Sequence, residues 1–329
     1  MSDYKDVKGL KVRYLASDPA NPELGEVWYN STSNTVKIQS VILQGTVATG
    51  GIMNSPRSNL SGFGVLTAGV AAGGYGSTAT ENYDGTSWTT SGSMGTAQYR
   101  GFGGGTQTAG FVGNGRQTPG SAKNQTEEYD GSVWSSSFPL SSPRYFGAQG
   151  GKTQTTGLAA GGSSSPSTQL NATEEYDGTS WASSGNLTYT AGAVPGNGPQ
   201  TAAIGAGGYT GPPTTMTTNS AEYNGSTWTS TNSLNTARGQ GAMLGDSSTA
   251  ALLGGGPPSP SPISNSIENY DGTCWSANPS SLPGVQISAN NAGVGSQASG
   301  YFSGASPGPN ATTFEYSGLQ ETAKTIGTS

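Results

Sequence analysis

The chain has 329 residues, including 54 glycines; only 10% of its residues are charged, and its net charge at pH 7 is −6. It contains no histidine and a single cysteine, Cys274, which excludes His-dependent catalytic triads, His-ligated zinc or copper, internal disulfides and multi-cysteine metal sites. Its 13 basic residues are spread along the chain, and no apolar run approaches the roughly 20 residues of a membrane span. We therefore expect no cofactor, no metal, no nucleic-acid partner and no membrane insertion.

Residues 1–42 are the first predicted segment, an N-terminal docking arm that is richer in charge than the rest of the chain. Within it, GEVWYNSTSNTVKIQ (25–39) predicts a β-hairpin with a polar turn. The candidate docking residues of this hairpin are Trp28, Tyr29 and Lys37. An ordered flap against the following domain is the alternative interpretation. The opening MSDYKDVKGLKVRYL has no apolar stretch, so we expect no secretory signal.

A motif such as EEYDGTSW recurs along the rest of the chain at steps of 46 or 47 residues. A tryptophan follows the motif tyrosine by five residues in the first five copies. This period, with no helical 3.6-residue pattern, predicts the four-stranded blades of a β-propeller. The motif tyrosines are Tyr83, Tyr129, Tyr176, Tyr223, Tyr270 and Tyr316.

The third copy illustrates the strands predicted for one blade. PRYFGAQGG (143–151) and TTGLAAGG (155–162) are the first two strands, and a polar loop leads to ATEEYDG (172–178) and then to TSWASSG (179–185). The Asp-Gly pair between the last two predicts a tight hairpin, because glycine tolerates positive φ and aspartate can bond nearby backbone. We expect the tyrosine and tryptophan to pack between adjacent sheets.

The last copy lacks its tryptophan, since Glu321 stands where that residue should fall. The spacing over 47–53 near the N-terminus equals that over 88–94, which contains a motif tryptophan. Residues around 45–51 are therefore predicted to be the outer strand of the last blade. Closure in this way removes the open β edge that the incomplete last blade would otherwise present.

The resulting fold prediction is all-β: a six-bladed β-propeller over 43–318 that is closed by an N-terminal strand, with the hairpin arm before it and a tail at 319–329. The repeat resembles the kelch repeat, in which a Gly pair ends the second strand, Glu-x-Tyr-Asp lies in the third and a Trp lies in the fourth. The resemblance covers about 45–318 and implies a fold rather than a function. The matching Gly pairs and first-strand arginines are Gly73-Gly74, Gly161-Gly162, Gly207-Gly208, Gly254-Gly255, Arg57, Arg100, Arg144 and Arg238.

The carboxylates offer no evident catalytic pair. Twelve of the 19 belong to the repeated third-strand motif and should be displaced from one another around the ring. A glycosidase needs two carboxyl groups about 5–9.5 Å apart in one cleft. We therefore expect no enzyme and no catalytic residues.

The loops between the second and third strands differ most from copy to copy and are stiffened by proline. Variable loops on a regular scaffold favour a binding function. Arg116, in GNGRQTPG, was the one arginine of the repeat region that did not fit the repeat spacing. The candidate contacts for a ligand or partner are Arg116, Tyr209, Pro212, Pro213, Pro258 and Pro260.

Two functions remain open. The GE-x-W-Y-N hairpin resembles hairpins near the start of tail and fibre proteins of marine bacteriophages, where it precedes Gly/Ser/Thr-rich repeats. This resemblance implies a non-enzymatic virion structural protein, either a tail fibre or a capsid decoration, present in several copies or as a homo-oligomer. Its arm would bind other virion proteins, and its propeller would face outward toward a host-surface glycan or receptor. Such a protein is made in the host cytoplasm without a signal peptide and ends in the extracellular particle. The alternative is a soluble cellular kelch-type protein-binding module.

Overall fold

The structure, a computed structural model, describes residues 12–19, 26–42, 45–117, 120–211, 215–256, 265–283, 292–304, 309–318 and 320–326. Over these residues the secondary structure consists of strands joined by turns and loops. None of them belongs to a helix long and apolar enough to cross a membrane. The chain divides into two compact units, unit 1 (Met1–Gly45 with Gly318–Ser329) and unit 2 (Thr46–Ser317).

The strands, in chain order, are β1 (Arg13–Leu15), β2 (Val27–Asn30), β3 (Thr35–Ile42), β4 (Thr46–Thr49), β5 (Ser61–Val65), β6 (Ala68–Ala72), β7 (Thr80–Tyr83), β8 (Trp88–Ser91), β9 (Phe102–Thr106), β10 (Ala109–Arg116), β11 (Ala122–Tyr129), β12 (Trp134–Ser137), β13 (Ala148–Gly150), β14 (Gly157–Ala160), β15 (Ser163–Ser165), β16 (Thr168–Gln169), β17 (Thr173–Tyr176), β18 (Trp181–Ser184), β19 (Gly196–Asn197), β20 (Ala203–Ala206), β21 (Ser220–Tyr223), β22 (Trp228–Thr231), β23 (Ala242–Ser247), β24 (Ala250–Gly254), β25 (Ser266–Tyr270), β26 (Trp275–Ser281), β27 (Ala292–Gly295), β28 (Ser299–Ser303), β29 (Thr313–Ser317) and β30 (Gln320–Ile326).

Unit 1 contains one sheet, in the order β1-β2-β3-β30. β2 and β3 form the predicted hairpin around the turn at 31–34, and Asn34 takes the left-handed conformation with φ 53°. β1 lies parallel to β2, and β30 runs antiparallel along β3. Residues 320–326, which the sequence predicts only as a tail, thus form a strand. Pairing with them satisfies an edge of β3 that would otherwise present unpaired backbone groups.

Unit 2 has a β-propeller-like architecture. Its strands form six four-stranded antiparallel sheets, and β15 and β16 form a separate two-stranded ribbon within one connecting loop. β4 pairs with β29, so that Val47 lies opposite Tyr316. The six sheets, from first strand to fourth, are β5-β6-β7-β8, β9-β10-β11-β12, β13-β14-β17-β18, β19-β20-β21-β22, β23-β24-β25-β26 and β27-β28-β29-β4.

Glycine lets the first strands of neighbouring sheets approach backbone to backbone. A Cβ added at Gly103 on β9 would lie 2.8 Å from the carbonyl oxygen of Gly62 on β5. A Cβ at Gly293 on β27 would lie 2.7 Å from the carbonyl oxygen of Met243 on β23. Real Cβ atoms do not come this close, so side chains are excluded at these positions.

The hairpin between the third and fourth strands is held by the aspartate of the repeat. Asp177 Oδ1 accepts hydrogen bonds from the backbone N–H groups of Thr179 and Ser180, both at 2.7 Å. Gly178 follows with φ 92°. The aspartate thus bonds its own loop as the Asp-Gly signal predicts, and the loop brings Tyr176 opposite Trp181.

The repeat tyrosine and tryptophan pack against each other in five sheets, with ring centroids 4.7 to 5.0 Å apart and ring planes inclined by 30° to 35°. The tryptophan also joins its sheet to another one, because its indole N–H donates to a hydroxyl at the start of that sheet's third strand. Trp228 Nε1, for example, lies 3.0 Å from Thr173 Oγ1. The equivalent pairs are Trp88–Thr313, Trp134–Thr80, Trp181–Thr126 and Trp275–Ser220.

The sheet without a tryptophan also lacks the hydroxyl partner. Val47 occupies the tryptophan position, and Ile267 on β25 stands where the preceding sheet would offer threonine or serine. Both side chains belong to one apolar cluster with Phe314 and Tyr316. Donor and acceptor are therefore replaced together, which avoids a buried polar group without a partner.

The tyrosine hydroxyls form a second connection between sheets. Those of Tyr83, Tyr176 and Tyr223 donate to a glutamate of another sheet: Glu315 of the last sheet, Glu128 of the second and Glu175 of the third, respectively. Burial, followed by these hydrogen bonds, raises the pKa of the three tyrosines to about 12. The hydroxyls therefore remain protonated donors at neutral pH.

The segment that leads into the first strand of a sheet is called the link. Buried ion pairs join this link to the third strand of the same sheet. Arg144 pairs with Glu174, and Arg238 pairs with Glu268 at 2.8 Å. The glutamates also accept backbone N–H groups of the link, as Glu174 does from Ser141 at 2.8 Å. Burial lowers the pKa of both arginines, and the charge of the glutamate partner opposes that shift.

We predict that Thr173→Val destabilises the protein by about 1–3 kcal/mol, because the buried indole N–H of Trp228 loses its acceptor. Thr229→Val, an exposed position one residue after Trp228, is the matched control and should change stability by less than about 0.5 kcal/mol. Urea denaturation measures both. Equal effects of the two variants would contradict a role for the hydrogen bond.

Candidate ligand-binding site

Two of the predicted contact residues lie at equivalent places in their sheets. Arg116 ends β10 and bridges Tyr99, and Tyr209 follows β20 and bridges Gly192. In the sheet between them, Ser163 bridges Tyr145 in the same way. Each bridge joins the link before a first strand to the loop after the second strand. Three consecutive sheets thus bring their links and variable loops together at one edge.

The next position in each link has an unusual backbone conformation. Arg100 and Phe146 adopt the left-handed conformation, with φ 63° and 61°, which costs a residue other than glycine about 1–2 kcal/mol. Backbone hydrogen bonds connect these positions from sheet to sheet: Phe146 N donates to Arg100 O at 3.1 Å, and Arg100 N donates to Asn59 O at 3.0 Å. The other residues at this position, also with positive φ, are Asn59, Ala193 and Gln240.

This geometry stacks arginine on aromatic rings. The guanidinium carbon of Arg100 lies 3.8 Å from the ring centroid of Phe146 and 5.6 Å from that of Tyr99. That of Arg116 lies 4.9 Å from the ring of Tyr145. Such contacts hold a cation by the negative face of the ring. We call the set the Arg–Tyr cluster; its members are Tyr75, Tyr99, Arg100, Arg116, Tyr145, Phe146 and Tyr209.

The Arg–Tyr cluster carries positive charge without a carboxylate partner. Unit 2 has 13 carboxylates and seven cationic side chains, and four of the seven cations form ion pairs. Among the described residues, the three without an ion pair are Arg100, Arg116 and Lys123, and Lys123 lies on β11 opposite the residue before Arg116. Burial lowers the pKa of Arg100, and the charge of Arg116 adds to that shift. Burial raises the pKa of Tyr145, whereas Arg116 opposes this rise.

A cleft of about 420 Å³ opens beside Arg116. Arg116 Nη2 donates to Gly120 O at 2.6 Å, and its buried Nε has no hydrogen-bond partner among the described residues. β15 supplies the hydroxyls of Ser164 and Ser165 to the wall, and Tyr145 supplies its ring. The size is in the range of small-molecule sites, and the lining combines a cation, hydroxyls and an aromatic surface.

The carboxylates of unit 2 are engaged elsewhere. Asp84, Asp130, Asp177 and Asp271 hold the hairpin loops. Glu81, Glu127, Glu174 and Glu268 bind the links. Glu128, Glu175, Glu222 and Glu315 accept tyrosine hydroxyls, and Asp246 pairs with Lys152. Each thus has a structural partner within the fold.

Five members of this site are not among the contacts predicted from the sequence: Tyr75, Tyr99, Tyr145, Phe146 and Arg100. Arg100 is the cation among them. The repeat suggests that it is equivalent to the buried Arg144, but the structure places Gln98 at that position. Arg144 follows Leu140 by four residues, as Gln98 follows Met94, whereas Arg100 follows Met94 by six. This spacing is the signal in the sequence. Gln98 is buried, and its amide has no hydrogen-bond partner among the described residues.

The remaining predicted contacts are Pro212, Pro213, Pro258 and Pro260, and they lie outside the described residues.

Two of the three docking candidates of unit 1 bind Asp18. Trp28 is fully buried, and its Nε1 donates to Asp18 Oδ1 at 3.0 Å. Lys37 forms an ion pair with Asp18 at 2.6 Å. Tyr29 is only half-buried and stacks on the exposed Tyr14, with ring centroids 4.7 Å apart. Trp28 and Lys37 thus hold the sheet together, whereas Tyr29 lies beside an exposed aromatic side chain.

No family model matches the chain, and its sequence matches no curated protein.

We predict that the sheet of unit 1 loosens between pH 4 and pH 2. The hydrogen bond from Lys37, then those from Asn30 and Trp28, lowers the pKa of Asp18 from 3.8 to about 2. A lowered pKa stabilises the folded state above the unfolded pKa, and this contribution is lost as the pH falls through the folded value. The indole N–H signal of Trp28 in a ¹⁵N-labelled sample reports this change.

Asp18→Asn is the control, because it removes the titrating group while retaining a side-chain oxygen for Trp28. Its Trp28 signal should be independent of pH over this interval. A wild-type signal that stays unchanged down to pH 2 would contradict the assignment of the acid transition to Asp18.

Proposed function

We propose that unit 2 is a six-bladed kelch-like propeller whose ring is closed by β4. Six four-stranded sheets support this count. Two hydrogen bonds between the first and the last sheet support closure: Trp88 Nε1 donates to Thr313 Oγ1 at 2.9 Å, and Tyr83 donates to Glu315. They repeat the contacts made between the other neighbouring sheets. In a closed ring each sheet is covered on both faces, and β4 covers the edge that β29 would otherwise leave open.

We further propose that the protein is a non-enzymatic structural component of a virus particle, a phage tail fibre or capsid decoration whose propeller faces outward for adhesion to a host-surface glycan or receptor. The observation that carries this proposal is the Arg–Tyr cluster with its cleft, built from the variable loops of neighbouring sheets. Tyrosine, serine and arginine on loops held by a rigid frame suit recognition of a surface. The structural use of the carboxylates supports binding rather than hydrolysis.

Unit 1 supports a further part of the proposal, which is that the N-terminal arm attaches the protein to the virus particle. It forms its own sheet, which the strand near the C-terminus completes. Its side chains Tyr14 and Tyr29 form an aromatic pair, and Tyr14 is 75% exposed. An exposed aromatic pair on a small sheet offers a surface for another virion protein.

We predict that β4 is required for a stable unit 2. A fragment of residues 46–318, which retains β4, should melt at a higher temperature than one of residues 53–318, in which Tyr316 loses its partner strand. The shorter fragment should also aggregate, because an unpaired strand edge is exposed. Calorimetry and light scattering measure both effects. Equal melting temperatures and equal monomer content would contradict closure by β4.

We also predict that purified virus particles contain this chain in several copies. Mass spectrometry of the particles should detect it, and gold-labelled antibody against unit 2 should bind their outer surface in electron micrographs. Detection only in the soluble fraction of infected cells would overturn the virion assignment and favour the cellular binding module. Antibody against unrelated cytoplasmic protein controls for adsorbed material.

A further inference from the structure

We propose that the Arg–Tyr cluster binds an acidic saccharide, with Arg116 and Arg100 holding a sugar carboxylate or sulfate and Tyr75 offering its ring to the sugar face. This inference rests on the proposed adhesion function and specifies the ligand class. Its support comes from the charge, the free donors and the exposed aromatic surface of the site.

The charge of the site differs from that of its surroundings. Unit 2 has nearly twice as many carboxylates as cations, yet its three described cations without an ion pair all lie in the second sheet or in the link before its first strand. Each carboxylate of the unit is engaged elsewhere. Arg100 and Arg116 are thus held near one another, in partly buried positions, without a counter-charge. A bound anion would supply that charge, and partial burial would strengthen the interaction.

The arginines also keep hydrogen-bond donors available. Arg100 uses Nε to bind Asn59 Oδ1 at 3.0 Å, and its two terminal nitrogens make no hydrogen bond to the described residues. Arg116 uses Nη2 for Gly120 and leaves the buried Nε without a partner among those residues. Each guanidinium group also lies over an aromatic ring, that of Arg100 over Phe146 and that of Arg116 over Tyr145. A fixed planar fork suits the paired oxygens of a carboxylate or sulfate.

The aromatic surface favours a sugar over other anions. Tyr75 is 61% exposed and packs on Tyr99, with ring centroids 5.0 Å apart, so one of its faces has a fixed orientation next to the arginines. Ser121, Ser164 and Ser165 line the cleft and can exchange hydrogen bonds with sugar hydroxyls. Nucleic acid would need many phosphate contacts along a basic stripe, and three cations at one edge do not provide them.

The inference is tested by calorimetric titration of the full chain with four probes of similar length. The probes are an oligogalacturonate for carboxylate sugars, a sulfated dextran oligomer for sulfate sugars, a neutral dextran oligomer and an oligoglutamate. We expect at least one acidic saccharide to bind and the neutral dextran and the oligoglutamate not to bind. Binding of the oligoglutamate alone would overturn the inference in favour of an acidic peptide, and binding of the neutral dextran equal to that of the acidic sugars would overturn it outright.

The variants keep the fold and change the donors. Arg100→Gln uses the residue found at the equivalent position in the fifth sheet, where Gln240 has φ 58°. Arg100→Gln and Arg116→Gln should each weaken binding roughly tenfold or more, since a charge-assisted hydrogen bond is lost. Arg116→Lys, which keeps the charge but not the fork, should restore part of the loss. Arg13→Gln removes an equal charge from unit 1 and should leave affinity unchanged. Affinity that is unchanged in Arg100→Gln and Arg116→Gln, with melting temperatures preserved, would overturn the inference.

Failure of this inference is distinguishable from failure of the proposed function. If particles carry the chain and no acidic saccharide binds, the virion assignment stands and the ligand class is wrong. If acidic saccharide binds through the two arginines but particles lack the chain, the site stands and the virion assignment is wrong.

Discussion

Adjacent sheets of unit 2 are fastened by polar side chains that must find their partner in a different copy of the repeat. The indole N–H of Trp228 is buried and needs Thr173 of the preceding sheet. A buried donor without an acceptor costs about 1–3 kcal/mol, so neither residue can change alone without penalty. Val47 and Ile267 show how the chain meets this constraint. Val47 stands at the tryptophan position and Ile267 at the position of its hydroxyl partner, so both members of this pair are apolar. The repeat is therefore a set of matched pairs between neighbours.

These contacts within the fold determine which charged side chains of unit 2 remain available for binding a ligand. Tyrosine hydroxyls, link N–H groups and hairpin loops bind the carboxylates of unit 2, and each of these bonds serves the frame. Arg57, Arg144 and Arg238 also stabilise the fold, because each forms a buried ion pair with a glutamate. Breaking such a pair by removing one partner leaves an uncompensated buried charge. Arg100, Arg116 and Lys123 are the described cations of unit 2 that form no ion pair.

Much of the frame is predictable from sequence because it repeats. The period of 46 or 47 residues, the tyrosine-tryptophan pair and the Asp-Gly turn each correspond to a local structure that recurs in the sheets. The pairing of residues near 47 with the last third strand follows from counting tryptophans. β30 and the ribbon of β15 and β16 are different: their sequences are short, polar and unrepeated. These strands form because a free strand edge or a neighbouring link is available to pair with them. The amino-acid sequence alone does not show where such an edge or link will lie.

The candidate site is less predictable, because its key position is defined by the backbone. Arg100 lies where the link turns through the left-handed region so that its N–H reaches Asn59 of the preceding sheet. The left-handed conformation is a requirement on the main chain, and the residue type at this position does not indicate it. Sequence spacing places Arg100 two residues beyond Gln98, but only the structure shows that this displacement moves it from the buried ion-pair position onto the ring of Phe146.

The same reasoning explains why recognition can reside at this position. At the tryptophan and threonine positions the side chains themselves make the connection between sheets, so their identities are fixed in pairs. At the left-handed position the connection is a backbone hydrogen bond, and the chain places asparagine, arginine, phenylalanine, alanine and glutamine there in different sheets. The side chain is thus not needed for this connection between sheets, although that of Arg100 also binds Asn59 and that of Phe146 is buried. Freedom of side-chain choice on a fixed main chain is the condition under which a ligand-binding residue can differ from one sheet to the next without loss of the fold.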